Sequence, residues 1–125
     1  MVKTIASIFI SALLLFCISI YEHFKVNRIF GDFRYRLEAL YDKTEEKQST
    51  FTDGDSVRIF WTAKKKELHV WVPHTSIENV DYQLNEAIGY LFEGKHDDAL
   101  PKIEVLIEMT KKIPDSYAFR FENVF

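Results

Sequence analysis

The sequence predicts an all-α protein in which an N-terminal membrane-spanning helix continues into a small antiparallel helical bundle. Three observations carry this. Thr4 to Ile20 contains no charged side chain and comes directly after Lys3. Beyond it, apolar residues recur at steps of three and four, the period of an amphipathic helix. Finally, Gly, Pro and short polar runs punctuate those stripes into four segments, the last a helix that forms a hairpin with the one before it.

The apolar run comes first. At about 1.5 Å per residue it makes a helix of roughly 26 Å, and Val2 and Tyr21 extend it toward the ~30 Å hydrocarbon core. Its length exceeds a usual signal h-region, and no small-x-small pair closes it before Tyr21-Glu22-His23-Phe24, so an uncleaved signal-anchor is expected over residues 1–21. Cys17 follows the bulky Phe16 and lies inside the run, which argues against a lipidated cysteine; it reads as a small apolar residue facing lipid. The membrane lipid partner is therefore met through residues 4–20. Orientation is open on the residues alone. Lys25, Arg28, Arg34 and Arg36 favour a cytoplasmic C-terminal part, whereas the short head before the run favours translocation of the C-terminal domain.

Residues 22–125 suffice for one small domain. Past Tyr21, Asp and Glu outnumber Lys and Arg by four, which excludes a nucleic-acid-binding module by charge. The single Cys leaves no intrachain disulfide.

Helix one carries Val26, Phe30, Phe33, Leu37, Leu40 and Tyr41 and is expected to end near Lys47, with Gly31 as the place for a bend. Asp53-Gly54-Asp55 reads as a turn, and Asp55 or Ser56 as the cap of helix two. Helix two carries Val57, Phe60, Trp61, Leu68 and Trp71 and is stopped by Pro73; His69 to Val72 fits a short strand as an alternative. Ser76 opens helix three, striped by Ile77, Val80, Leu84, Ala87, Ile88 and Leu91, and Gly94 stops it. Asp97 or Asp98 caps helix four, which tolerates Pro101 in its first turn, carries Leu100, Ile103, Leu106, Ile107, Thr110 and Ile113, and closes at Pro114. The aromatic tail Tyr117, Phe119, Phe121 and Phe125 is expected to dock onto the bundle.

Taken in order, these features resemble a family of small bacterial membrane-anchored proteins, domain of unknown function 4363. The resemblance rests on the apolar N-terminal helix, Trp71, His74 with Ile77 and Val80, and the helix-three stripe. It continues through Asp98-Ala99-Leu100, Ile113-Pro114 and the terminal Phe121-Glu122-Asn123-Val124-Phe125, so that it covers nearly the whole chain. Glu78, where an Asp is common, and the Phe density of helix one depart from the pattern. The resemblance implies a helical fold, a bacterial source and an extracytoplasmic domain, and supplies no catalytic residues.

Candidate chemistry is sparse. His96-Asp97-Asp98 looks like the metal-binding pair of phosphohydrolases, but such sites need further ligands, and His69 and His74 are five apart across Pro73. The expected reading is a turn whose acids favour the positive end of helix four. His74 is a candidate pH-responsive or ligand-contacting residue at the start of helix three. No nucleophile elbow or phosphate-binding glycine loop occurs. Lys64-Lys65-Lys66 reads as a solvated face, or as a headgroup contact if helix two folds back toward the membrane. The expectation is a membrane-anchored interaction or accessory protein of the envelope, without catalytic residues, metal or cofactor. Trp61, Trp71, Phe121 and Phe125 are its candidate contacts for a protein partner. An envelope sensor or ligand-binding module, with a pocket between helices three and four near His74, is the alternative, and a metal-dependent hydrolase using His96 and Asp97 a third.

Overall fold

A computed structural model describes residues 1–69 and 71–124, with side chains up to Asp115. It consists of four helices, α1 (Val2–Glu45), α2 (Phe51–Leu68), α3 (His74–Phe92) and α4 (His96–Val124), and no strand occurs among the described residues.

The helical stripes become the core. Val26, Ile29, Phe30, Phe33, Leu37 and Leu40 of α1 are buried, as are all six expected residues of α3. α2 contributes Val57, Trp61 and Leu68, and α4 contributes Ala99, Ile103 and Leu106. α1 packs on α2 and α4, and α3 packs on α2 and α4, while the two diagonal pairs do not meet among the described residues. This is a ring of antiparallel neighbours, the arrangement short connections favour. Ion pairs mark the directions: Lys43–Asp53 at 3.0 Å joins the far end of α1 to the start of α2, and Lys25–Glu67 at 3.4 Å joins α1 near its apolar part to the end of α2.

α1 is one helix of 44 residues, about 66 Å long. It runs unbroken across Tyr21 and Gly31. Its N-terminal part is long and apolar enough to cross a membrane, and none of that stretch is covered by the bundle. The first residue buried in the core is Val26.

Helix boundaries differ from expectation in five places. α2 starts at Phe51, so Asp53-Gly54-Asp55 is not a turn and neither Asp55 nor Ser56 is the cap. The cap is Thr50: its hydroxyl accepts from the Asp53 amide at 3.4 Å, and the Asp53 carboxylate accepts from the Thr50 amide at 2.8 Å, a reciprocal capping box. Gly54 lies inside the helix because α3 approaches there; a Cβ would come within 3.1 Å of both Ile88 and Leu91. α2 then ends at Leu68, and neither further helix nor strand comes after it before Pro73 among the described residues. The amides of Trp71 and Val72 both donate to the Leu68 carbonyl, at 3.0 and 2.9 Å, closing a turn that buries Val72.

α3 begins at His74, two residues early, with Pro73 as its cap. Gly94 ends it as expected, at φ 74°. The Gly94 amide donates to the Leu91 carbonyl and that of Lys95 to Tyr90, a Schellman closure. Because α4 begins at His96, Asp97 and Asp98 occupy its first turn, where they favour the positive end of the dipole, and are not its cap. Pro101 stands sixth in the helix, beyond the first turn.

α4 also continues through Pro114, which was expected to close it. An interior proline costs about 3 kcal/mol through its missing N–H and ring clash. Burial offsets that cost here: Ile103, Leu106, Thr110, Ile113 and Pro114 keep the same face against the bundle. The docking expected of Tyr117, Phe119, Phe121 and Phe125 concerns side chains outside the described residues.

α1 closes with the same Schellman bonding as α3, Lys47 to Thr44 and Gln48 to Lys43, but its left-handed residue is Lys47 at φ 60°. A side chain in that conformation costs about 1 kcal/mol relative to Gly. Lys47→Gly is therefore expected to raise the melting temperature by about 5 °C. An unchanged or lower value in thermal circular dichroism would show the strain is absent.

Asp53 supplies a pH signature. The Thr50 backbone amide, followed by the Lys43 ammonium, holds its carboxyl below the ordinary value of 3.8 despite partial desolvation. A lowered folded value stabilises the fold above the unfolded value and loses that contribution as pH falls through the folded one. The stability difference between the natural chain and Asp53→Asn should be constant above about pH 5 and shrink below about pH 4. Parallel melts across that range measure it.

Candidate functional site

Trp61 is placed where no partner can reach it. It is 1% exposed, with its ring 4.8 Å from Phe33 and 6.1 Å from Phe30 by centroids. Its Nε1–H donates to Asp81 Oδ1 at 2.7 Å, and Lys65 Nζ lies 3.2 Å from Asp81 Oδ2. Trp61 is thus the centre of the core and not a partner contact. Its position on the α2 stripe dictates burial, and Asp81, one residue past Val80 on the stripe of α3, supplies the acceptor that a buried indole N–H requires. Sequence reasoning missed Asp81; the available signal was an acid at the edge of an otherwise apolar stripe.

Trp71 stands beyond the end of α2, half-buried against the core. The side chain of Phe121, and Phe125 altogether, lie outside the described residues. His74 is exposed at the first position of α3, where its Nε2 is 2.8 Å from Glu78 Oε1 and its ring is 5.8 Å from that of His69. It lies open to solvent, with its side chain 69% exposed, rather than in a crevice between α3 and α4.

His96 has a structural partner. Its Nε2–H donates to the Ser49 carbonyl at 2.8 Å, tying the start of α4 to the turn after α1. Beneath it, Thr44 Oγ1 donates to the Leu40 carbonyl and accepts from Ser49 Oγ, both at 2.7 Å, so these buried hydroxyls are satisfied. His96, Asp97 and Asp98 line a depression of about 260 Å³ together with Lys47, Gly94 and Lys95. Glu93 beside Lys95 raises the affinity of that ammonium for its proton. Charges of both signs face one another there. Among the described residues, no three His, Cys, Asp or Glu side chains converge as metal ligands.

The remaining surface is more distinctive at the two ends. At the far end Phe51 and Phe92 meet edge to face, with centroids 5.5 Å apart and Phe92 73% exposed. At the near end Tyr21 and Phe24 of α1 stand exposed just past the apolar run. There the Lys25–Glu67 pair brings the lysine run of α2 alongside, and Lys64 shares the same Glu67 at 3.9 Å. Helix two does fold back toward the apolar segment.

No curated protein and no solved structure matches the chain. A family model does, over residues 21–124, the whole of the bundle as described and not the apolar segment before it. The chain belongs to the family described as domain of unknown function DUF4363.

Proposed function

We propose that this is a single-pass membrane protein of the bacterial cell envelope, whose bundle lies outside the cytoplasm and acts as an interaction or accessory module without catalysis of its own. One observation carries the reading: a single continuous helix is apolar and uncovered at one end and forms the wall of a packed core at the other. A helix apolar on all faces with no protein around it finds its cover in lipid. Its continuation into the core holds the bundle rigidly at the bilayer, whereas a flexible linker would let it roam.

The interaction role draws support from the exposed Phe92 and its partner Phe51 at the end farthest from the apolar segment, the position from which a neighbouring envelope protein is reached. With Trp61 buried in the core, these aromatics together with Trp71, Phe121 and Phe125 are the contact candidates. Cross-linking of the full-length protein in its native membrane tests the reading. One dominant envelope protein is expected to be captured, and Phe92→Ala should diminish that capture without loss of helicity. Recovery of the chain alone would overturn the accessory role.

A further inference from the structure

The near end of the bundle has the composition of a surface made for lipid headgroups. Leu68 to Ile77 contains no Asp, Glu, Lys or Arg, whereas the turns at the other end carry Glu46 and Lys47, and Glu93 and Lys95. This stretch, whose titratable groups are His69 and His74, includes the α2–α3 turn, and it comes directly after the three lysines and Glu67.

Height along α1 places the turn. Lys25 is five residues past Ile20, the last of the apolar run, which is about 7 Å along the helix axis. The headgroup layer of one leaflet is roughly 5–8 Å deep. Glu67, paired with Lys25, therefore stands at the outer edge of that layer, and the chain beyond it heads further in. Exposed Tyr21 and Phe24 occupy the same depth on α1, as aromatic rings at an interface do. Charges agree. Glu67 is shared by Lys25 and Lys64, and Asp81 is engaged by Lys65 and Trp61. Lys66 is exposed and has no ion pair among the described residues.

We propose that the α2–α3 turn, with Lys66 ahead of it, seats in the anionic headgroup layer of the bilayer that α1 enters, as a second membrane contact beside the span. This rests on the reading of α1 as a membrane span. Two contacts fix the rotation and tilt of the bundle as well as its height, so that the far aromatic pair is presented at a set position.

The test uses the full-length chain with Cys17→Ser, which leaves one introduced cysteine for a fluorophore, at Thr75 or, as a far control, at Glu45. The protein is reconstituted into vesicles of phosphatidylcholine alone or mixed equally with phosphatidylglycerol, each with a trace of headgroup-nitroxide lipid. Quenching at position 75 is expected to be about twofold stronger in the anionic vesicles and to fall to the neutral level with Lys66→Glu or in about 0.5 M salt. Position 45, roughly 37 Å along the axis from Ile20, should be unquenched in both. Equal quenching at position 75 in the two lipids, or no response to Lys66→Glu, overturns the proposal while leaving the span intact. Failure of the chain to float with either vesicle overturns the span itself, and the headgroup contact with it.

Discussion

Trp61→Ala is expected to cost the bundle about 3–5 kcal/mol, the usual range for deleting a buried large aromatic. A domain of this size has a total stability of about 5–15 kcal/mol, so the variant should be largely unfolded or close to it. The reason is specific to the site. Trp61 fills the space beside Phe30 and Phe33, and α1 and α2 meet through these rings. Its removal also leaves Asp81 with Lys65 alone among the described residues. Trp61→Phe separates the two effects, because it retains most of the apolar area and loses only the indole donor. It is expected to cost about 1.5–3 kcal/mol, the value of a hydrogen bond to a charged acceptor. Urea unfolding of both variants in detergent, monitored by circular dichroism, gives the comparison. A loss below about 1 kcal/mol for Trp61→Ala would show that the ring is not central to the core.

Deletion of residues 2–18 is expected to move the protein from the membrane to the soluble fraction while leaving all four helices in place. The buried residues of α1 start at Val26, so the deletion removes no core side chain. It does remove nearly all the Leu, Ile and Phe residues of the run. Each contributes about 0.3–0.6 kcal/mol to insertion near the bilayer centre, several kcal/mol together. The fragment should therefore melt within a few degrees of the full chain. Full-length protein should resist alkaline carbonate extraction, and the fragment should need no detergent. Extraction of the full-length chain by carbonate would sink the membrane reading. An unfolded fragment would show instead that the apolar segment is part of the fold.

The helical stripes were legible because they are local. Val26 to Leu40 of α1 and Ile77 to Leu91 of α3 repeat with the helix period, and those faces are buried whatever the neighbours are. The family was legible for a related reason, since the order of stripes and stops runs along nearly the whole chain. Boundaries were less so. Asp53-Gly54-Asp55 has the composition of a turn, yet Thr50 and Asp53 close a capping box and the bare Gly54 admits α3 against α2. Pro114 reads as a stop by its own chemistry and is carried inside α4 by the buried face around it. For the candidate site, residue type pointed to Trp61 as a contact, and only its depth beneath Phe30, Phe33 and Asp81 shows it to be core.

By itself, the amino-acid sequence determined an all-α protein, one uncharged run long enough to span a bilayer, the faces its helices bury and the closing of α3 at Gly94. Each of these depends on interactions within about one helical turn, or on length alone. Only the tertiary structure decided that α1 runs without interruption from the apolar segment into the core, that α2 returns its lysines and the α2–α3 turn to the near end, and that Trp61 is enclosed while Phe92 is exposed. Those outcomes depend on which elements pack together. Local pattern specifies what each helix must bury, and the closure of four helices around one core selects where every remaining side chain is left.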